Sequence, residues 1–374
     1  VPWRPVFDPL LGAAFLLGLW TALRRVRRDA AAAFVLVWTA VMLMPTLLAE
    51  DTPHFLRAVG VLPVAAFLPA LGLDWVVEQA GHPRWGWAVA GVALAFGLAS
   101  TAAAYFGDYA AAPMTGYWFE RGAVALAGRA NAFLGVGWDG ERMLHDAEPN
   151  RHVFIEPGLW EQWPQVRFLV AQPEAVTVGL EGEASAEGVA VFVWPYADWQ
   201  RAWSLLPVPA EIAVEEGPQS QGDRDPEPFT TYLGFFATPP DPAEPALARF
   251  SGGVELLGIE TAWAEDGRLR VRLRWRATES LAGDYTVFVH YLRDGERLGQ
   301  ADARPAGGHY PTPLWHPGDV VNDDHFLEGV GVIIPERDAV LFGFWDPATG
   351  ERLYVLDEAG NPANDWLMLP VTGN

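Results

Sequence analysis

The chain has 374 residues, 47 acidic against 25 basic side chains, and no cysteine. A net charge of −22 argues against a nucleic-acid partner, since phosphate is repelled rather than neutralised. The missing thiols exclude disulfides, thiolate metal sites and catalytic cysteines. The charge is unevenly placed: Val1–Phe106 holds 7 Arg and 6 acids, leaving 18 Arg and 41 acids for Gly107–Asn374. Such a division calls for two solvents, lipid for the first part and water for the second.

Four apolar stretches open the chain: Phe7–Leu23, Ala30–Ala49, Ala58–Val77 and Trp85–Phe106. Each approaches the ~20 residues that cross a ~30 Å hydrocarbon core, so the sequence predicts an α-helical membrane domain of four transmembrane helices over residues 1–106. The third stretch carries Gly60, Pro63, Pro69 and Gly72, which spanning helices tolerate where neighbours satisfy the freed backbone groups. Arg24, Arg25, Arg27 and Arg28 form the basic cluster that the positive-inside rule puts in the cytoplasm. Alternation then puts Glu50–Arg57 outside, Gln79–Arg84 inside, and everything after Phe106 outside. A basic n-region and a cleavage site are not seen ahead of the first stretch. The plain expectation is the C-terminal part of a longer membrane protein.

The outer loop Glu50–Arg57 sets two acids, His54 and Arg57 at the rim of the bilayer. An arginine there holds a phosphate bidentately, and His54 can share the load. The plainer alternative is a solvated loop with a snorkelling arginine.

Residues 107–245 read as a helix, Met114–Leu134, followed by a small α/β unit. Its expected strands are His152–Ile155, Val166–Val170, Val189–Trp194, Glu211–Val214 and Phe229–Phe236, with helices at Leu159–Trp163 and Asp198–Leu206. Gly217–Pro228 is polar and turn-rich, an exposed loop, and Thr238–Pro245 is a plausible linker. From residue 246 to 374 the pattern is strands throughout. Arg268–Arg276 alternates charged and apolar residues, one wet face and one dry. Asp266-Gly267 and Asp294-Gly295 are hairpin signals. The expectation is a β-sandwich of jelly-roll type.

Chemistry is sparser. His309, His316, His325, Asp319, Asp323 and Asp324 lie close enough in sequence to raise a metal site, but no compact ligand repeat occurs and the region reads better as polar loop. Gly-rich phosphate loops are missing: Gly135-Val136-Gly137 is incomplete. Nothing calls for a cofactor. Gly116-Tyr117-Trp118-Phe119 and Trp160–Trp163 offer aromatic surfaces for sugar stacking, with burial in a core as the commoner fate of such residues.

Pro45–Gly72 resembles the C-terminal membrane segment of GT-C superfamily glycosyltransferases, of the protein O-mannosyltransferase and aminoarabinose transferase group. The matching features are Pro53-His54, Arg57, Gly60 and Pro63. Phe250–Val355 is similar to the β-sandwich attached to many such enzymes, through Asp284–His290, Pro305–Thr312 and Trp345–Leu353. The resemblance implies transfer of a sugar from a polyprenyl-phosphate carrier to a glycan or protein acceptor on the outer face. It implies a catalytic carboxylate in an earlier outer loop that this sequence does not hold, so neither Glu50 nor Asp51 is promoted to that role. It makes Arg57, with His54, the candidate contacts to the carrier phosphate. The rival expectation is a membrane-anchored carbohydrate-binding or surface-structural protein without catalytic activity.

Overall fold

The computed structural model describes residues 5–48, 59–110, 112–182, 187–222, 224–264 and 266–371. They form two compact units, Val1–Thr115 and Gly116–Asn374.

The first unit is helical: α1 (Pro9–Arg25), α2 (Ala30–Leu47), α3 (Leu62–Gln79) and α4 (Pro83–Ala103), which continues as a wider turn over Ala104–Tyr109. Three helices are long and apolar enough to cross a membrane, Ala30–Leu47, Val59–Gln79 and Pro83–Tyr109. The 17 residues of α1 rise about 26 Å, short of the ~30 Å core. Its ends are fixed locally. The Asp8 carboxylate accepts from the Leu10 and Leu11 amides, Pro9 opens the first turn, and Arg24 and Arg25 occupy the last, where cations suit the helix dipole.

Helix α1 packs on α3 backbone to backbone. A Cβ on Gly18 would stand 1.7 Å from the Leu68 carbonyl oxygen, and one on Gly72 would stand 1.8 Å from that of Ala14. Small residues at such a seam are how helices associate in lipid, where no hydrophobic force drives them together. Elsewhere the unit turns apolar side chains outward: Phe34, Val37 and Val41 on α2 and Val92, Leu94 and Leu98 on α4 are exposed. Such an outward-facing apolar surface suits lipid contact.

Helix α5 (Pro113–Trp118) is followed by α6 (Arg121–Leu134), which lies wholly in the second unit. The continuous helix expected over Met114–Leu134 is therefore two. Glu120 adopts φ 48°, ψ 51° between them, and the turn seats Gly122 where a Cβ would fall 2.7 Å from Thr231 and 2.9 Å from the Trp163 ring.

A hairpin follows, β1 (Val136–Trp138) and β2 (Met143–His145), then β3 (Arg151–Ile155), α7 (Pro157–Gln162), α8 (Val166–Leu169), β4 (Val176–Val178) and β5 (Gly188–Val193). The strand expected at Val166–Val170 is α8 and its C-cap instead. Val166 and Val170 are buried while Phe168 between them is exposed, the i, i+4 pattern of one helical face. Next come β6 (Glu211–Glu216), β7 (Gln219–Ser220), β8 (Phe229–Thr230) and β9 (Leu233–Thr238). Strand β3 pairs in parallel with β4 and with β5, as alternation of strands and helices implies.

The later strands are β10 (Ala248–Phe250), β11 (Val254–Trp263), β12 (Leu269–Ala277), β13 (Thr286–Arg293), β14 (Glu296–Ala303), β15 (Val320–Leu327), β16 (Asp338–Trp345), β17 (Val355–Leu356), β18 (Pro362–Asn364) and β19 (Leu367–Pro370). Burial alternates along all of β12, with Leu269, Val271, Leu273 and Trp275 inside and the arginines outside. Asp294 and Gly295 both take positive φ, 50° and 83°, as a two-residue hairpin turn requires. A four-stranded sheet, β14-β13-β16-β19, packs on the larger one through Trp275, whose ring lies 4.6 Å from Phe344 and 5.8 Å from Phe342.

The larger sheet has eleven strands in the order β18-β17-β10-β11-β12-β15-β6-β9-β5-β3-β4. Strand β15 pairs in parallel with β6, Val320 opposite Glu211 and Asn322 opposite Ala213, so the α/β layer and the sandwich share one sheet. The segment read as a linker is tied down as well. Arg274 binds the Glu244 carboxylate, at 2.5 and 3.0 Å, and Arg276 donates to the Glu244 carbonyl at 2.8 Å.

Candidate functional site

Three sequence features bear on function, and the structure treats each differently. His54 and Arg57, with Glu50 and Asp51, lie outside the described residues.

The His/Asp group of the sandwich is divided among structural tasks. Asp319 accepts from the amides of Ala210 and His316 and from the Tyr310 hydroxyl. Asp323 accepts from the Ala306 amide and the Trp275 indole and lies 2.8 Å from His325 Nε2. Asp324 holds Arg272 by two bonds, at 2.7 and 2.8 Å. Among the described residues no three histidines or carboxylates are placed to hold a metal ion. Burial pulls the His325 pKa down, and the Asp323 carboxylate outweighs it, so the net direction is up.

A cleft of about 650 Å³ opens where β15 runs on beyond β6, lined by Arg268, Arg270, Arg272, Glu215, Glu216, Asp302, His309 and His325 among others. Most of its charges are matched within the protein. Arg268 pairs with Asp266 and Arg272 with Asp324. The His309 ring, 3.9 Å from Glu216, holds that carboxyl below its ordinary value.

The aromatic segments are what the fold gathers. Tyr117 and Trp118 from the end of α5, Trp163 after α7, Trp194 and Tyr196 after β5, and Phe229 of β8 line a second cleft of about 760 Å³. Trp118 and Tyr196 are each 62% exposed, far from the core burial that is the usual fate of such rings. The rings stand at steep angles to one another: Tyr117 and Trp118 are 5.5 Å apart and edge-on, as are Trp194 and Tyr196, with Phe229 5.8 Å from Trp194. Trp160 and Phe119 do not line it; Trp160 packs on the core under α6.

The strand order explains the location. Trp163 and Trp194 follow the carboxyl ends of the parallel strands β3 and β5, where open α/β sheets place their ligand sites. The Trp194 backbone amide donates to the carboxylate of Glu156, the residue after β3, which ties the chain leaving β5 to the end of β3. Tyr196 is held by its hydroxyl, which accepts from the Thr230 amide at 3.0 Å. The loop read as merely exposed supplies the other wall. Its Asp225 carboxylate closes a turn by accepting from the Gly222 amide at 2.7 Å, and the Tyr117 ring lies so close over Gly222 that a Cβ would come within 2.8 Å of it.

Three acidic residues, Glu120, Asp225 and Glu227, line the cleft with the rings, and no basic residue is among the described lining residues. The cleft therefore combines aromatic surface with acidic residues, apolar faces beside hydrogen-bond acceptors. The sequence singled out Tyr117, Trp118 and Trp163 but missed Trp194, Tyr196, Phe229 and the two loop acids. The signal available was the cluster of rings directly after an apolar strand. No protein-family model matches this chain, and no curated protein does either.

Proposed function

We propose that this chain is the C-terminal portion of an integral-membrane glycosyltransferase that moves a sugar from a polyprenyl-phosphate carrier to an acceptor outside a bacterial cell membrane, with the aromatic cleft seating the acceptor glycan. The supporting observation is the convergence of Tyr117, Trp118, Trp163 and Trp194 on one solvent-open cleft in a chain whose other unit has three helices fit to cross a membrane. In this reading α1 is a short fourth span, the arginines after it face the cytoplasm, and Arg57 with His54 holds the carrier phosphate. The catalytic carboxylate belongs to an earlier loop of the enzyme.

A second reading is a membrane-anchored carbohydrate-binding protein without transferase activity. It is favoured by the cleft being built wholly from residues of the second unit, which is sufficient for binding alone. One experiment separates the two. The whole chain in lipid nanodiscs is titrated with neutral hexasaccharides and, separately, irradiated with a photoreactive short-chain polyprenyl phosphate. The transferase reading expects glycan binding that Trp118→Ala weakens and lipid capture that Arg57→Ala abolishes. Glycan binding with no lipid capture favours the anchor, and no glycan binding removes both.

A further inference from the structure

Glu120 is out of place in its backbone conformation. It takes a left-handed conformation, φ 48° and ψ 51°, which glycine adopts freely and a residue with a Cβ does not. It stands at the N-cap of α6, where the helix dipole favours its charge, yet its side chain makes no capping hydrogen bond. No hydrogen bond or ion pair to it from another side chain is seen among the described residues. It borders the aromatic cleft between Trp118 and Gly122. A strained residue with an unspent carboxylate at a binding surface is the pattern in which strain marks function.

The carboxylates around it are not equivalent. Asp225 is already engaged by the Gly222 amide at 2.7 Å, whereas Glu120 is unengaged. With three acidic residues and no cation among its described lining residues, the cleft wall is acidic in a chain of net charge −22. An anionic sugar entering it meets like charge from three carboxylates, screened only over the Debye length. A neutral sugar meets acceptors for its hydroxyls.

Resting on the glycan reading of this cleft, we infer that Glu120 is the ligand-contacting carboxylate, accepting hydrogen bonds from the hydroxyls of a neutral glycan stacked on Trp118, and that the cleft refuses acidic glycans. The identity of residue 120 is set by the ligand against the preference of the backbone.

That conflict supplies the test. Glu120→Gly removes the carboxylate and relaxes the backbone, so the variant folds; hydrogen-exchange protection over α6 is expected to match or exceed that of the parent. The whole chain in nanodiscs is titrated with maltohexaose, cellohexaose, mannohexaose and an oligogalacturonate of equal length. Expected are binding of at least one neutral hexasaccharide, at least about tenfold weaker binding of the oligogalacturonate, and narrowing of that gap as salt screens the carboxylates. Glu120→Gly loses about tenfold or more in neutral-glycan affinity, and Glu120→Gln, which keeps an acceptor but no charge, narrows the gap. If Glu120→Gly binds the neutral glycan as the parent does, or the oligogalacturonate binds equally well at low salt, this inference is wrong while the glycan reading stands. If no hexasaccharide binds the parent, the glycan reading fails and this inference with it.

Discussion

Asp319 sits where the two halves of the eleven-stranded sheet meet, and replacing it by alanine should open that junction selectively. The residue is 0% exposed. One carboxylate oxygen accepts from the Ala210 amide at 2.9 Å, reaching the residue before β6; the other accepts from the His316 amide at 2.8 Å and the Tyr310 hydroxyl at 3.2 Å. Hydrogen bonds to a charged acceptor contribute about 1.5–3 kcal/mol each, and stranding a buried amide costs about 1–3 kcal/mol. These terms overlap, and water entering the vacated space recovers part of the loss, so Asp319→Ala should cost about 4 kcal/mol. That corresponds to about a thousandfold rise in local opening. Hydrogen exchange read by mass spectrometry is the suitable assay, because a protein of two compact units need not melt in one step. Peptides over β6 and β15 should lose about three decades of protection while those over β13 and β14 keep theirs. A loss under tenfold at β6, or an equal loss in every peptide, would refute the claim that Asp319 pins this junction. Asp319→Asn should fall between the two, since its amide turns a donor toward donors.

Three further outcomes follow from the geometry. Gly18→Leu or Gly72→Leu should part α1 from α3, because a Cβ at either position meets carbonyl oxygen under 2 Å away; the check is a markedly lower unfolding temperature in detergent, with Gly91→Leu, which meets nothing, as the control. The Arg293 guanidinium, helped by the Ile334 amide and the Tyr291 hydroxyl, holds the Asp338 carboxyl well below the usual carboxylate range despite burial. Its stabilisation is complete above the unfolded value of about 3.9 and is lost as pH falls through the folded value. Urea midpoints of the second unit should drop below about pH 4, less steeply in Asp338→Asn. His325 acts in the opposite sense: its folded pKa is raised, so its contribution is full below about 6.5 and lost as pH rises through the folded value. A His325→Gln variant whose stability keeps the parent's fall above neutrality would overturn that assignment.

What the sequence could and could not convey follows from range. Alternation along Leu269–Ala277 forecasts a strand with one dry face because period two is a local record of burial. Asp294-Gly295 forecasts a tight hairpin because positive φ is a local demand. The pairing of β15 with β6 joins residues more than a hundred positions apart, and no local period states which strand lies beside which. Val166–Val170 misled because five residues are too few to separate period two from a single helical turn. The cleft was half legible: Tyr117, Trp118 and Trp163 were visible as rings, but only the strand order decides that they face solvent together. Asp225 and Glu227 sit in a segment whose polarity alone reads as solvation.

The shared sheet also dictates an order of events during synthesis. Strand β6 acquires its neighbour β15 only after another hundred residues have been made, so through that interval β6 is a bare edge with unpaired amides and carbonyls. The cores are joined in the same way: Ile212 and Leu205 pack in one cluster with Trp275 and Val321. A product ending near Pro245 would therefore carry every residue of the aromatic cleft and still expose a template for aggregation. Any effort to isolate the cleft must keep the chain through β15, and a nascent chain stalled before it is one that a cell's chaperones must shield.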